Sequence, residues 1–276
     1  MVKKSLFSIA LVAGLAVGVI PSHADTAASP APSASASASD TPSTAGVHGS
    51  IDYSSDVSQV NAYFKKKGCV IKVHAQCNKK KLTGLDLSGF NLDGVNFSGS
   101  DLTGSNLAGS KLLKANFSNA NLAGVDLSDV DGDGSNFSGT NLRAANLSGA
   151  SFVGANLSKT KASRANLSGA DFTKASGLNS DFTYASIDSA DFTQANLQHA
   201  DFSHATGSDA IFDDAQLNYA KFVKAPLNSP SFQGTILNGA ILTGSDISVD
   251  DLNTANYCGA TMSSGFAADN ATCKNN

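Results

Sequence analysis

Apolar residues recur in this chain at a spacing that neither a helix nor an ordinary strand uses. Over 86–110, DLSGF NLDGV NFSGS DLTGS NLAGS, a Leu or Phe returns every five residues, whereas a helix face recurs near 3.6 and a strand face every two. Of the 37 positions taken five apart from Leu82 to Met262, all but Gly132, Ala162, Gly177 and Gly207 are Leu, Ile, Phe, Tyr or Met, and no insertion breaks the register. Two residues before each centre the chain is usually Ala, Ser or Thr, and one before it is Asn or Asp. Two residues after the centre lie 16 of the 25 glycines, as a type II turn requires of its third residue, where φ is positive. Each pentapeptide is therefore predicted to be a short extended step followed by a turn.

The phenylalanines set the circuit. Those at central positions form the series Phe97, Phe117, Phe137; Phe152, Phe172, Phe192, Phe212, Phe232; and Phe182, Phe202, Phe222, always 20 residues apart. Four pentapeptides per turn of a coil would place like rings directly above one another, where they can stack. The expected fold is all-β: a quadrilateral β-helix of about nine coils over 82–262, roughly 43 Å long at ~4.8 Å per coil.

At this point the residues resemble the pentapeptide-repeat family, whose pattern A-(D/N)-L-x-x is matched by ANLSG at 145–149 and 165–169 and by ADFTQ at 190–194. The resemblance covers about two-thirds of the chain. It implies a right-handed quadrilateral β-helix with the central and small residues inside and the other three columns in solvent.

The rest of the chain divides around that rod. MVKK, the apolar run 6–20 and Ser22-His23-Ala24 read as a secretory signal peptide, 1–24. The apolar run is shorter than the ~20 residues of a membrane span, so no span is expected after cleavage. Residues 25–50 are an Ala/Ser/Pro linker with almost nothing to bury. An N-terminal cap is expected at 51–81, with an amphipathic helix over 54–68, and a C-terminal cap at 263–276, because open coil ends invite edge pairing. Four cysteines lie outside the central column as counted from Leu82. Bridged Cα atoms must lie within about 7 Å, so pairing between ends is excluded, and Cys69–Cys77 and Cys258–Cys273 are the expected disulfides of a secreted or periplasmic protein.

Composition narrows the chemistry. All 23 acidic residues are Asp, which suits turns better than helices. Residues 82–262 hold 18 Asp against 9 Lys plus Arg, whereas 50–81 hold seven Lys against two Asp. Asp129-x-Asp131-x-Asp133-Gly134 resembles the start of a Ca²⁺ loop. Its twelfth position is Thr140 and the repeat runs through it, so it is read first as a degenerate repeat and only secondarily as a Ca²⁺ candidate. No phosphate loop, nucleophile motif or acid–base pair is found, and a packed solenoid leaves no interior pocket. The chain is therefore read as non-catalytic and without a cofactor.

The leading functional reading is an exported repeat scaffold that binds a protein or envelope partner through its outer faces. In the first half the turn column is mostly Gly, whereas from Lys174 onward it holds larger side chains such as Gln194, Asp214 and Lys224, and Tyr184, His199, His204 and Tyr219 are the candidate partner contacts. The family resemblance implies an alternative, a DNA-mimicking protector or inhibitor of a type II topoisomerase, although a signal peptide would direct the chain away from such a target. A third reading is a binder of ice, mineral or anionic polymer surfaces, for which the Thr173 and Thr193 ladder is short. No nucleic-acid partner is expected.

Overall fold

The computed structural model describes residues 65, 68–268 and 273. The signal peptide, the linker and all of the expected cap helix except Lys65 and Gly68 lie outside those residues. No helix among the described residues is long and apolar enough to cross a membrane.

One pentapeptide shows how the coil closes. Within Val95-Asn96-Phe97-Ser98-Gly99, Phe97 N donates to Asn116 O at 2.7 Å and Gly99 N to Ser118 O at 2.8 Å, while Asn116 N donates to Val95 O at 2.8 Å. Ser100 N donates to Phe97 O at 3.0 Å and closes the turn, with Gly99 at φ +64° as its third residue. Each side of a coil has only one residue between turns in ladder position, so the parallel pairing consists of single bridges between residues 20 apart, from Gln76↔Asn96 to Ile241↔Thr261. The exception is explained by Pro226. It has no N–H to give Ala205 O, and pairing shifts onto two short parallel strands, β1 (Gly207–Ser208) and β2 (Leu227–Asn228).

The 20-residue circuit holds throughout the core. Along the longest phenyl column, Phe152, Phe172, Phe192, Phe212 and Phe232 stack with centroids 5.1–5.5 Å apart and planes within 9°. Phe182, Phe202 and Phe222 form a second column on the opposite wall, and the two columns interdigitate edge to face, as in Phe192–Phe202 at 5.6 Å and 80°. The small column two residues earlier is also buried. Where it is polar its hydroxyl is used by the backbone: Thr140, Thr160 and Thr235 donate to the carbonyls of Phe117, Phe137 and Phe212 at 2.7–2.8 Å. Ser110 Oγ is the buried hydroxyl among the described residues with no hydrogen-bond partner.

Missing central side chains are covered from the neighbouring coil. A methyl placed on Gly132 would lie 2.7 Å from Phe152 Cε1, one on Gly177 2.7 Å from Leu197 Cδ2, and one on Gly207 2.9 Å from Ile187 Cγ1. The coil also starts earlier than the sequence count from Leu82. Cys77, expected outside the central column, occupies a central position: it is fully buried, its N donates to Asn96 O, and its O accepts from Ser100 Oγ. Its bond to Cys69, with Cα atoms 5.0 Å apart, ties the chain entering the rod to the first complete coil. At the other end Cys258 bonds Cys273 with Cα atoms 4.5 Å apart.

Phe192 touches four other rings. Phe192→Ala is expected to cost about 3–5 kcal/mol in urea unfolding; a loss below about 1 kcal/mol would show that the stacked column does not hold the rod together.

Candidate functional site

The side whose ladder runs Lys81, Asp101, Asn121, Asn141, Lys161, Asp181, Asp201, Lys221, Ile241, Thr261 differs from the other three from Asn121 to Lys221. The corner residues that bound it lie two before and three after each ladder position. One corner carries Lys159, Asn179, His199 and Tyr219, and the other Arg164, Tyr184, His204 and Lys224. All eight corner residues have positive φ or occupy the same turn position, between 51° and 62°. Each of these left-handed turns at a residue other than Gly costs roughly 1–2 kcal/mol.

The corner side chains stack along the rod because like positions lie one coil apart. Tyr184 lies parallel to His204 with centroids 4.7 Å apart, and Arg164 Cζ lies 5.6 Å from the Tyr184 ring on the preceding coil. Across the side, His199 stacks on Tyr219 at 5.0 Å. Tyr219 in turn lies over Gly239, where a methyl would come within 2.6 Å of its Cε1. Both tyrosines remain more than half exposed, at 54% and 57%. The structure thus gathers all four candidate contacts, Tyr184, His199, His204 and Tyr219, at the two edges of one side.

Charge is sorted in the same way. Between residues 143 and 224, Arg143, Lys159, Lys161, Arg164, Lys221 and Lys224 belong to this side and its corners, against Asp181 and Asp201. Over the same stretch the other three sides hold Lys174 against Asp171, Asp188, Asp191, Asp209, Asp213 and Asp214. Lys221 Nζ lies 3.6 Å from Asp201 Oδ2, and Asp181 Oδ1 accepts from Thr183 Oγ1 and N. The opposite extreme is the ladder from Gln76 through Asn96, Asn116, Asn136 and Asn156 to Asn256, which has no charged residue.

The three acidic residues stand in the repeat register, one at a turn, one in the ladder and one at the following turn. Asp129 is a turn residue whose Oδ1 projects over Gly149. Asp131 pairs with Lys111 and Ser151, and Asp133 Oδ1 accepts from Ser151 Oγ at 2.6 Å and Val153 N at 3.0 Å. No group of three or more His, Cys, Asp or Glu able to hold a metal occurs among the described residues. A depression of about 490 Å³ at the C-terminal end is lined by Val249, Tyr257, Met262 and Phe266 with small residues.

The family description "Pentapeptide repeats" matches in eight copies, over 81–112, 110–149, 150–185, 163–198 and 190–228, more than half of the chain. The chain belongs to the pentapeptide-repeat family. Its coil is accordingly the right-handed β-helix solenoid of pentapeptide-repeat proteins. Among solved structures it is similar to HetL, a pentapeptide repeat protein involved in heterocyst differentiation regulation in the cyanobacterium Nostoc, at 24% identity over 76% of this chain and 98% of that one, with a TM-score of 0.37. It is also similar to QnrB1, a plasmid-mediated fluoroquinolone resistance protein, at 18% identity over 65% and 90%, TM-score 0.39. A pentapeptide repeat protein of the Arabidopsis thaliana thylakoid lumen is 35% identical over 44% of this chain and 71% of its own, TM-score 0.26. No curated protein matches the sequence.

The six cations of this pentapeptide-repeat side were not singled out from the sequence. The signal was there: numbered modulo 20 they fall into adjacent columns, whereas a net charge sums them with the acidic sides.

Two measurements check the geometry. Gly239→Ala, with φ +67°, is expected to push Tyr219 off His199, read as loss of the ring-current shift of the His199 protons, whereas Gly104→Ala, which meets nothing within 4 Å, leaves that shift intact. Asp101 is held below the usual carboxylate range first by the Thr103 hydroxyl, then by Thr103 N, Lys81 and Asn121, with burial opposing. A depressed folded value means stabilisation that is present above the unfolded pKa and lost as pH falls. Asp101→Asn should therefore flatten part of the acid-side loss of stability from about pH 4 downward; an unchanged pH profile would remove the assignment.

Proposed function

We propose that this pentapeptide-repeat protein is an exported, non-catalytic scaffold, without a cofactor, that holds a protein or cell-envelope partner against the side edged by Tyr184 and Tyr219. One observation carries the reading. Two exposed tyrosines stand at opposite edges of one side, each held in place by a stacked histidine. Pre-set aromatic side chains lose little conformational freedom on binding, which is why they anchor interfaces. Export is supported by the apolar, positively led N-terminus and by two disulfides, which persist in oxidising compartments.

The topoisomerase-protector reading calls for a rod surrounded by negative charge as DNA is. Six cations gathered on one side interrupt that pattern, and the scaffold reading is preferred on this ground.

The test uses the full chain immobilised against the extracellular or periplasmic fraction of its source. The captured partner is expected to be lost with Tyr184→Ser and Tyr219→Ser together and retained with Lys114→Gly and Asp129→Gly, which alter turns of other sides before residue 130. Equal retention by both double variants would overturn the reading.

A further inference from the structure

We propose that the partner held on this side is a linear acidic polysaccharide. The inference rests on the reading of that side as the binding surface and adds the chemistry of what it binds.

Charge is the first argument. A rod that is acidic as a whole presents six cations and two carboxylates on one side between residues 143 and 224, while its other three sides present one cation and six carboxylates over the same length. The six cations are exposed. Such sorting attracts a polyanion to one side and repels it from the others.

Shape is the second argument. Lys159, Lys161 and Arg164 lie at one level of the rod, and Lys221 and Lys224 three coils further on, a separation of about 14 Å at ~4.8 Å per coil. An extended polymer lying along the rod spans both cation groups and passes over Asp181 and Asp201 between them.

The rings and carboxylates distinguish among polyanions. Nucleic-acid bases bind by stacking on aromatic faces. Here those faces are already covered: Tyr184 lies between Arg164 and His204, and Tyr219 between His199 and Gly239. What the tyrosines offer a partner is their edges. Along the middle of the side run Asp181 and Asp201, with Thr183 and Ser203 at the turns beside them, and all four offer acceptors for hydroxyl donors. Both kinds of polyanion meet the two carboxylates with like charge, but a phosphate polymer has no hydroxyl donors to offset that repulsion. An acidic polysaccharide supplies both groups, carboxylates for the rim cations and hydroxyls for the central acceptors.

The experiment measures binding of the full chain to polygalacturonate by affinity electrophoresis and titration calorimetry at low salt, with dextran, polyphosphate and single-stranded DNA as comparison probes. Polygalacturonate is expected to bind and dextran not to. Lys159→Gln, Arg164→Gln and Lys224→Gln together should weaken binding about tenfold or more, whereas Lys111→Gln, Lys114→Gln and Lys174→Gln, which remove the same charge from elsewhere, should change it less than about twofold. Asp181→Ala with Asp201→Ala should weaken polygalacturonate binding and strengthen polyphosphate binding. Thermal melts check that every variant remains folded. The proposal is overturned if polygalacturonate is not bound, if the two triple variants weaken it equally, if polyphosphate or DNA binds more tightly at matched charge, or if the aspartate variants strengthen polygalacturonate binding. If polygalacturonate fails while the tyrosine variants still release the captured partner, only the polysaccharide assignment falls; if neither set of variants matters, the binding side falls with it.

Discussion

Every other feature of this rod depends on one constraint, that a residue must lie over the residue 20 positions later. The constraint is imposed by backbone hydrogen bonds. In most pentapeptides the central N–H and the third turn N–H both donate to carbonyls of the next coil, and the ladder residue of that coil donates back. A one-residue slip would turn the apolar column out toward solvent, so the interior and the hydrogen bonds select the same register. Stacked phenyls then add contacts that only this register allows.

The same constraint explains how the rod tolerates its irregularities. A central Gly is covered when the coil above or below sends a side chain into its place, as Phe152 does at Gly132 and Ile187 at Gly207. A proline in ladder position costs one bridge and moves pairing by a residue, without breaking the circuit. Stability in such a solenoid is close to a sum over neighbouring coils, so each defect stays local. That locality leaves the outside free to vary.

What varies most is the turn column. Twelve successive turns from Lys174 to Ser229 place a residue other than Gly at positive φ, against the preference of L-amino acids. The strain is accepted where the side chain gains a partner in the next coil: Arg164, Tyr184 and His204 form one stack and His199 and Tyr219 another. The turns that cost most in backbone energy are therefore the ones that carry recognisable surface chemistry.

How much of this was legible in the sequence can be judged residue by residue. The period of five fixed which side chains are inside, because Phe97 or Leu127 cannot be buried unless every fifth neighbour is buried too. The 20-residue spacing of Phe152, Phe172 and Phe192 fixed the number of sides. The cysteine positions carried the pairing, since the ends of the rod are too far apart to bridge. Cys77 was misplaced by one repeat, because its pentapeptide lacks an apolar centre other than the cysteine itself. The Asp129, Asp131 and Asp133 spacing resembles a calcium loop because linear spacing takes no account of the bonds from the next coil, such as those of Ser151 Oγ and Val153 N to Asp133. The sequence by itself determined the coil and its interior, through strictly local periodicity. Only the tertiary structure decided the surface, which tyrosine lies on which histidine and which six cations share a side, because those neighbours come from different coils of the chain and are brought together by the winding alone.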